Sequence, residues 1–194
     1  NGLNVEAQLK VINEGGSLST GTNGGNPAIT VSGADAVTLI FACGTDYKME
    51  LPNFRGEDPH KAVTARIDAA AKKGYEALKA DHIADHSALF SRVELGFDEE
   101  IPQIPTDELI KKYRNMIENN GGDIPTSAEQ RALEIMCYQF GRYLTIAGSR
   151  DGALPTNLQG VWGEGWFTWY GDYHFNINVQ MNYWPTMASN LSEC

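Results

Sequence analysis

Cysteine is scarce in this chain. Cys43, Cys137 and Cys194 are the only three in 194 residues. Their odd number and wide spacing argue against a disulfide framework and against a zinc site. Positive charge is also thin: 15 Lys and Arg stand against 25 Asp and Glu, a net charge of −10 with a pI near 4.8. That balance opposes electrostatic binding to nucleic acid or to an anionic membrane. No apolar run is long enough to span a bilayer, and no signal peptide opens the chain. Glycine is plentiful, but neither a GxGxxG nor a Walker spacing occurs, so no phosphate cradle is expected. His82 and His86 share a helical face, but the glutamate of an HExxH motif is missing beside His82. That pair reads as packing and hydrogen bonding, and no metal or cofactor is expected.

At this length the chain can bury a sizeable core in one or two domains. Leu3, Val5, Ala7, Leu9 and Val11 alternate with Asn4, Glu6, Gln8 and Lys10, the mark of a half-buried strand. Asn13 to Gly16 makes a turn, and a short strand follows around Ser17–Thr20. Gly21 to Pro27 is too rich in Gly and Asn for regular structure. Ala28–Ser32 and Ala36–Ala42 read as two more strands, and the short connections favour an antiparallel meander. So few strands expose an apolar face and need more sheet or a covering helix. His60 to about Arg92 is helical, broken near Lys72-Lys73-Gly74. Asp98 to Pro105 is an acidic, proline-bearing linker. Thr106 caps a helix that ends at Asn120-Gly121-Gly122. Thr126 and Glu129 stand in capping-box spacing before a helix reaching about Ala147. That helix is apolar nearly all round, which predicts burial, with Cys137 as a small buried hydrophobe. Met181 to Leu191 closes the chain as a helix with Pro185 in its first turn. Strands first and helices after make an α+β arrangement.

All four tryptophans, Trp162, Trp166, Trp169 and Trp184, fall between Arg142 and Glu193 among Tyr, Asn and Gln. Rings interleaved with neutral amides suit a concave site for a neutral, hydroxyl-rich ligand. Trp162 and Trp166 are the candidate rings for stacking on a sugar. Within this stretch Tyr173 to Gln180 reads as extended chain. His174, Asn176, Asn178 and Gln180 would then face a cleft, while Phe175, Ile177 and Val179 anchor in a core. Simple alternation at a solvent-facing strand fits the same pattern, so both readings stand on the residues alone.

The run GRYLTIAGSRDGALPTNLQGVW, followed by FNINVQMNYWP and NLSE, closely resembles glycoside hydrolase family 95, the α-L-fucosidases. Family members typically carry GRYLLIASSR, then LPANLQGIW, then NIN-x-x-MNYWP after a Trp-containing loop. Weaker resemblance extends upstream through GYEALKADHIADHSALFSRVELGF and TVSGADAVTLIFACGTDYK, thinning between Asp98 and Pro125. The resemblance implies the end of an antiparallel β-sandwich at 1–58 and a helical connector at 59–125. The first helices of an (α/α)6 toroid follow at 126–194. It further implies an internal piece of a secreted or periplasmic, exo-acting enzyme that removes terminal α-L-fucose from fucosylated oligosaccharides with inversion. Gly148, Asp151 and the loop GEGWFTWYGD depart from the family pattern. L-galactose, which differs from L-fucose only at C6, is therefore a rival substrate.

Glycoside hydrolysis usually needs two carboxyl groups. By position Asp151, Glu164 and Asp172 are loop acids by default. The resemblance instead implies a general acid and a supporting Asp beyond Cys194, with Asn176 and Asn178 holding the attacking water and His174 contacting the sugar. An amide can do this because its carbonyl accepts from water while a carboxylate polarises its NH2. The isolated chain is therefore expected to be inactive, and its exposed aromatic surface is expected to drive self-association. The alternative of another class is a non-catalytic carbohydrate-binding or structural module.

Overall fold

The computed structural model describes residues 2–97, 101–123, 126–161, 163 and 168–194. Two small antiparallel sheets and five α-helices occur among them, an α+β chain that divides into units Asn1–Ile83 and Ala84–Cys194.

The first unit opens with strands β1 (Val5–Glu14), β2 (Ser17–Asn23), β3 (Asn26–Ser32) and β4 (Ala36–Thr45). They do not form the expected meander. β1 pairs with β4 from Val5↔Thr45 to Glu14↔Ala36, and β2 pairs with β3 from Ser17↔Ser32 to Asn23↔Asn26. The four strands are thus one nested ribbon that runs out and back once. Its tip is Gly24-Gly25, both at positive φ, as a two-residue hairpin turn requires. The glycines expected to forbid regular structure are the turn itself, and Gly21 and Pro27 lie within paired strands. Pro27 is tolerated because both strands of a two-stranded ribbon are edges.

Midway, Gly15-Gly16 faces the longer Gly33-Ala34-Asp35, with Asp35 N donating to Glu14 O at 2.8 Å. This bulge admits only glycine at position 16. Its φ is +63°, and a Cβ there would collide with Ser32 O and stand 2.6 Å from Ala34 N.

Helix α1 (His60–Lys73) covers one face of the ribbon through Val63 and Ile67. Gly44 lets it approach, since a Cβ there would lie 2.9 Å from Val63 Cγ2. The row facing α1 is the polar one. Gln8 Nε2 donates to Thr64 Oγ1 at 2.8 Å, Lys10 Nζ meets Asp68 at 2.7 Å, and His60 Nδ1 lies 2.7 Å from Glu6. Val5, Leu9, Leu39 and Phe41 point the other way and are exposed. At the ribbon's base the buried Asp46 accepts from Asn4 N at 3.0 Å and from Arg55. Burial raises its carboxyl, but the Arg55 hydrogen bond and charge and the Asn4 amide outweigh that, leaving it below the ordinary carboxylate range.

Gly74 ends α1 at positive φ, as its position after Lys72-Lys73 predicts, and α2 (Tyr75–Phe90) follows at once. In the second unit stand α3 (Thr106–Asn119), α4 (Ala128–Gly148) and α5 (Asn178–Ala188). Thr106 is the first helical residue of α3 and not its cap; Pro105 precedes it. Ser127, one residue later than the expected Thr126, caps α4 by accepting from Gln130 N at 3.1 Å. The core here is Leu89, Ile146 and Leu191, with Phe90 and Cys194 against it.

Helix α4 is not buried all round. Ala132, Arg142 and Ile146 form one buried stripe, whereas Met136, Cys137, Phe140 and Tyr143 are exposed among the described residues. Apolar content sets how much surface a helix can bury, but only the stripe that meets a neighbour is covered. Within that stripe Arg142 is buried and closes the end of α2. Its guanidinium donates to Leu89 O (3.1 Å), Phe90 O (2.8 Å), Val93 O (3.0 Å) and Gln139 Oε1 (3.0 Å). It also lies 5.0 Å over the Phe90 ring. Two of the carbonyls that α2 leaves open at its C-terminus, those of Leu89 and Phe90, are thereby satisfied.

Candidate active site

The candidate residues gather where the chain turns into α5. The expected extended run over 173–180 is absent: Phe175–Ile177 is a turn and α5 begins at Asn178. Alternation of polar and apolar residues over so short a window fits a turn entering a helix as well as a strand. The consequence is that Phe175 and Ile177 are exposed and do not anchor, and Val179 alone of the three is buried. Because α5 starts three residues earlier than expected, Pro185 falls inside it and not in its first turn.

Helical geometry gives the asparagines a new relation. Asn178 and Asn182 are four apart and share a face. Asn182 Nδ2 donates to Asn157 O at 3.0 Å, which fixes the Thr156–Gly160 segment beside α5. Asn157 Oδ1 accepts from Gln159 N at 2.9 Å, and Leu158 N donates to Asp172 O at 3.1 Å. At the next position of α5, the Tyr183 hydroxyl accepts from Thr156 N at 2.7 Å and lies 3.0 Å from Ser149 Oγ. Tyr183 and Asn182 therefore moor the segment that follows α4 to α5. Sequence reasoning missed both, since their i+4 and i+5 relation to Asn178 exists only once the helix is known.

His174 sits on the turn with φ +51°, a conformation uncommon for a non-glycine residue. Trp169 and Tyr170 just before it also have positive φ. Asp172 Oδ1 accepts the backbone N–H of His174 at 3.2 Å, and its Oδ2 stands 3.3 Å from His174 Nδ1. The Trp169 ring meets His174 edge-on, centroids 5.6 Å apart. Asn176 is exposed on the turn and Asn178 half-buried at the start of α5. Among the described residues no side-chain hydrogen bond engages either amide. Trp162, Trp166 and Glu164 lie outside the described residues.

A cavity of about 550 Å³ opens between α4 and α5, lined by Tyr138, Thr145, Thr156, Gln159, Asn182 and Tyr183 among others. His174, Asn176 and Asn178 do not line it. They stand on the turn that leads into α5. Among the described residues no group of three or more His, Cys, Asp or Glu is placed to hold a metal ion. No helix there is long and apolar enough to cross a membrane.

Two amides, a histidine beside a carboxylate and a neighbouring ring thus meet where the chain enters α5. Residues 74–194 match the family model described as "Glycosyl hydrolase family 95 catalytic domain". The chain belongs to glycosyl hydrolase family 95. It is 34% identical over 201 residues to the "Probable alpha-fucosidase A" of Aspergillus niger, covering 99% of this chain and 24% of that protein. With the "Alpha-L-fucosidase 2" of Arabidopsis thaliana it shares 32% identity over 197 residues, 100% of this chain and 22% of the relative. The "Probable alpha-fucosidase A" of Aspergillus oryzae is 34% identical over 176 residues, 87% of this chain and 23% of the relative. The chain thus spans less than a quarter of the length of these curated relatives.

Proposed function

We propose that the protein bearing this chain is an exo-acting, inverting glycoside hydrolase that removes terminal α-L-fucose, or L-galactose, from oligosaccharides. One observation carries the reading. His174, Asn176 and Asn178 follow one another round the turn that opens α5, in a chain of this family. Asn176 and Asn178 hold the attacking water through their amide oxygens, and His174 contacts the sugar. The amides are not bases, so a carboxylate must polarise them and a carboxylic acid must protonate the leaving oxygen. In this reading both acids come from sequence beyond these residues, as the family resemblance implies.

Residues 1–58 then belong to a β-sandwich, 59–125 to a connector and 126–194 to an (α/α)6 toroid, in a secreted or periplasmic protein. The test is Asn178→Gly in the intact protein, assayed on an aryl α-L-fucoside. Loss of one oriented catalytic group is expected to lower kcat by more than about a hundredfold, about 3 kcal/mol in the barrier, at unchanged Tm. A kcat within a few-fold of wild type would remove Asn178 from the chemistry. Sugar binding with no turnover by the intact wild type would favour the carbohydrate-binding module.

A further inference from the structure

We propose that Asp172 is a positioning residue. It sets His174 in the Nδ1–H tautomer and so leaves Nε2 as an obligate acceptor for a sugar hydroxyl. The proposal rests on the reading of His174 as a sugar contact. It begins with one carboxylate holding one residue twice. Asp172 Oδ1 accepts the backbone N–H of His174 at 3.2 Å, and Oδ2 stands 3.3 Å from the ring Nδ1. The first contact helps hold His174 at φ +51°, where it would not rest unaided. The second decides where the imidazole proton sits.

His174 Nδ1 is shut off from solvent and completes no hydrogen bond, because the Asp172 carboxylate within reach of it is not yet aligned with the N–H direction. Asp172 Oδ2 stands beside it at 3.3 Å. An ionised carboxylate only accepts, whereas a neutral imidazole has one donor and one acceptor nitrogen. A lone pair on Nδ1 would face a carboxylate with no donor between them and leave the buried nitrogen unpaired, which is costly. The proton therefore belongs on Nδ1, and the contact is of the length that tightens when ligand arrives. The His174 side chain as a whole is 34% exposed. With Nδ1 covered, that exposure falls on the rest of the side chain, and Nε2 is the ring nitrogen left to carry the lone pair. Trp169, edge-on to the ring, limits its rotation.

An acceptor of this kind selects for a hydroxyl at the position it meets. A deoxy sugar lacking that hydroxyl would leave Nε2 unpaired. Asp172 itself is 62% exposed in its side chain, so replacing it removes little packing.

The experiment labels the intact protein with [15N]histidine and reads the tautomer of His174 from long-range 1H–15N correlations. His174→Gln identifies its signals among those of the other histidines. Wild type is expected to be the Nδ1–H form. Asp172→Asn is expected to move it toward Nε2–H, because an amide still accepts the backbone N–H yet presents NH2 to Nδ1. Asp172→Ala gives a mixture. On an aryl α-L-fucoside, Asp172→Asn is expected to raise KM by about tenfold with kcat little changed, and to have no further effect in a His174→Gln background. An Nε2–H wild type, or a tautomer indifferent to both Asp172 variants, overturns the proposal. Should the tautomer behave as expected while His174→Gln turns over substrate like wild type, the sugar contact assigned to His174 is wrong, and Asp172 sets a tautomer without a function.

Discussion

Replacing Arg142 by alanine gives the sharpest test of how the second unit is held together. The guanidinium is buried and donates four hydrogen bonds, three of them to main-chain carbonyls at and just beyond the end of α2. Hydrogen bonds from a charged donor contribute about 1.5–3 kcal/mol each, and a carbonyl left buried without one costs about 1–3 kcal/mol. These terms are not additive within one cluster, and water will enter part of the space, so a net loss of about 3–5 kcal/mol is expected. That is a large fraction of the roughly 5–15 kcal/mol that holds a domain folded. At about 2–4 °C per kcal/mol for a chain of this size, the midpoint should fall by about 10 °C. Arg142→Lys keeps the charge but loses the fork that reaches several carbonyls at once, and should land between. Thermal melts give the midpoints, and amide exchange over Leu89–Val93 locates the damage. An alanine variant that melts within about 1 °C of wild type, with unchanged exchange there, would refute this account of the helix end.

Three further outcomes are expected. Asp46 has its carboxyl held below the ordinary range, so it stabilises the fold above its unfolded pKa and that contribution is lost as pH falls through the depressed folded value. Urea midpoints of wild type and Asp46→Asn should therefore differ at pH 7 and converge in acid below the ordinary 3.8; a constant gap would contradict this. Gly16→Ala should destabilise the first unit by more than about 2 kcal/mol, through positive φ and collision with Ser32 O, and equal stability in urea would show that the bulge relaxes freely. The exposed Phe140, Tyr143, Tyr170 and Trp184 should drive concentration-dependent self-association of the 194-residue chain, which sedimentation velocity would deny by returning a single monomeric species.

Much of the secondary structure is legible in the sequence because its punctuation is local. Gly74 after two lysines separates α1 from α2, and Asn120-Gly121-Gly122 ends α3. The ribbon's topology is not legible, because Asn23-Gly24-Gly25-Asn26 signals a break without saying which strands it joins. A bulge of two residues against three leaves no trace in hydrophobic alternation. Near the site, a seven-residue window from His174 to Gln180 cannot separate a period of two from a turn that runs into a helix. Burial fails for another reason. Periodicity along β1 tells that its two faces differ, yet the face that meets α1 is the one bearing Glu6, Gln8 and Lys10, where a helix supplies Thr64, Asp68 and His60 as partners.

The nested ribbon also has a kinetic meaning. Each pairing of β2 with β3 is adjacent to one already made, starting from a tip of only two residues, so no step closes a long loop. The ribbon can zip outward from Gly24-Gly25, on the timescale of about 1–10 μs known for hairpins. At Gly16 the zipper must change register before β1 can find β4. That glycine is therefore the point where folding of the outer pair waits on the inner one, and where a chain stalled halfway would leave Leu9, Leu39 and Phe41 unpaired.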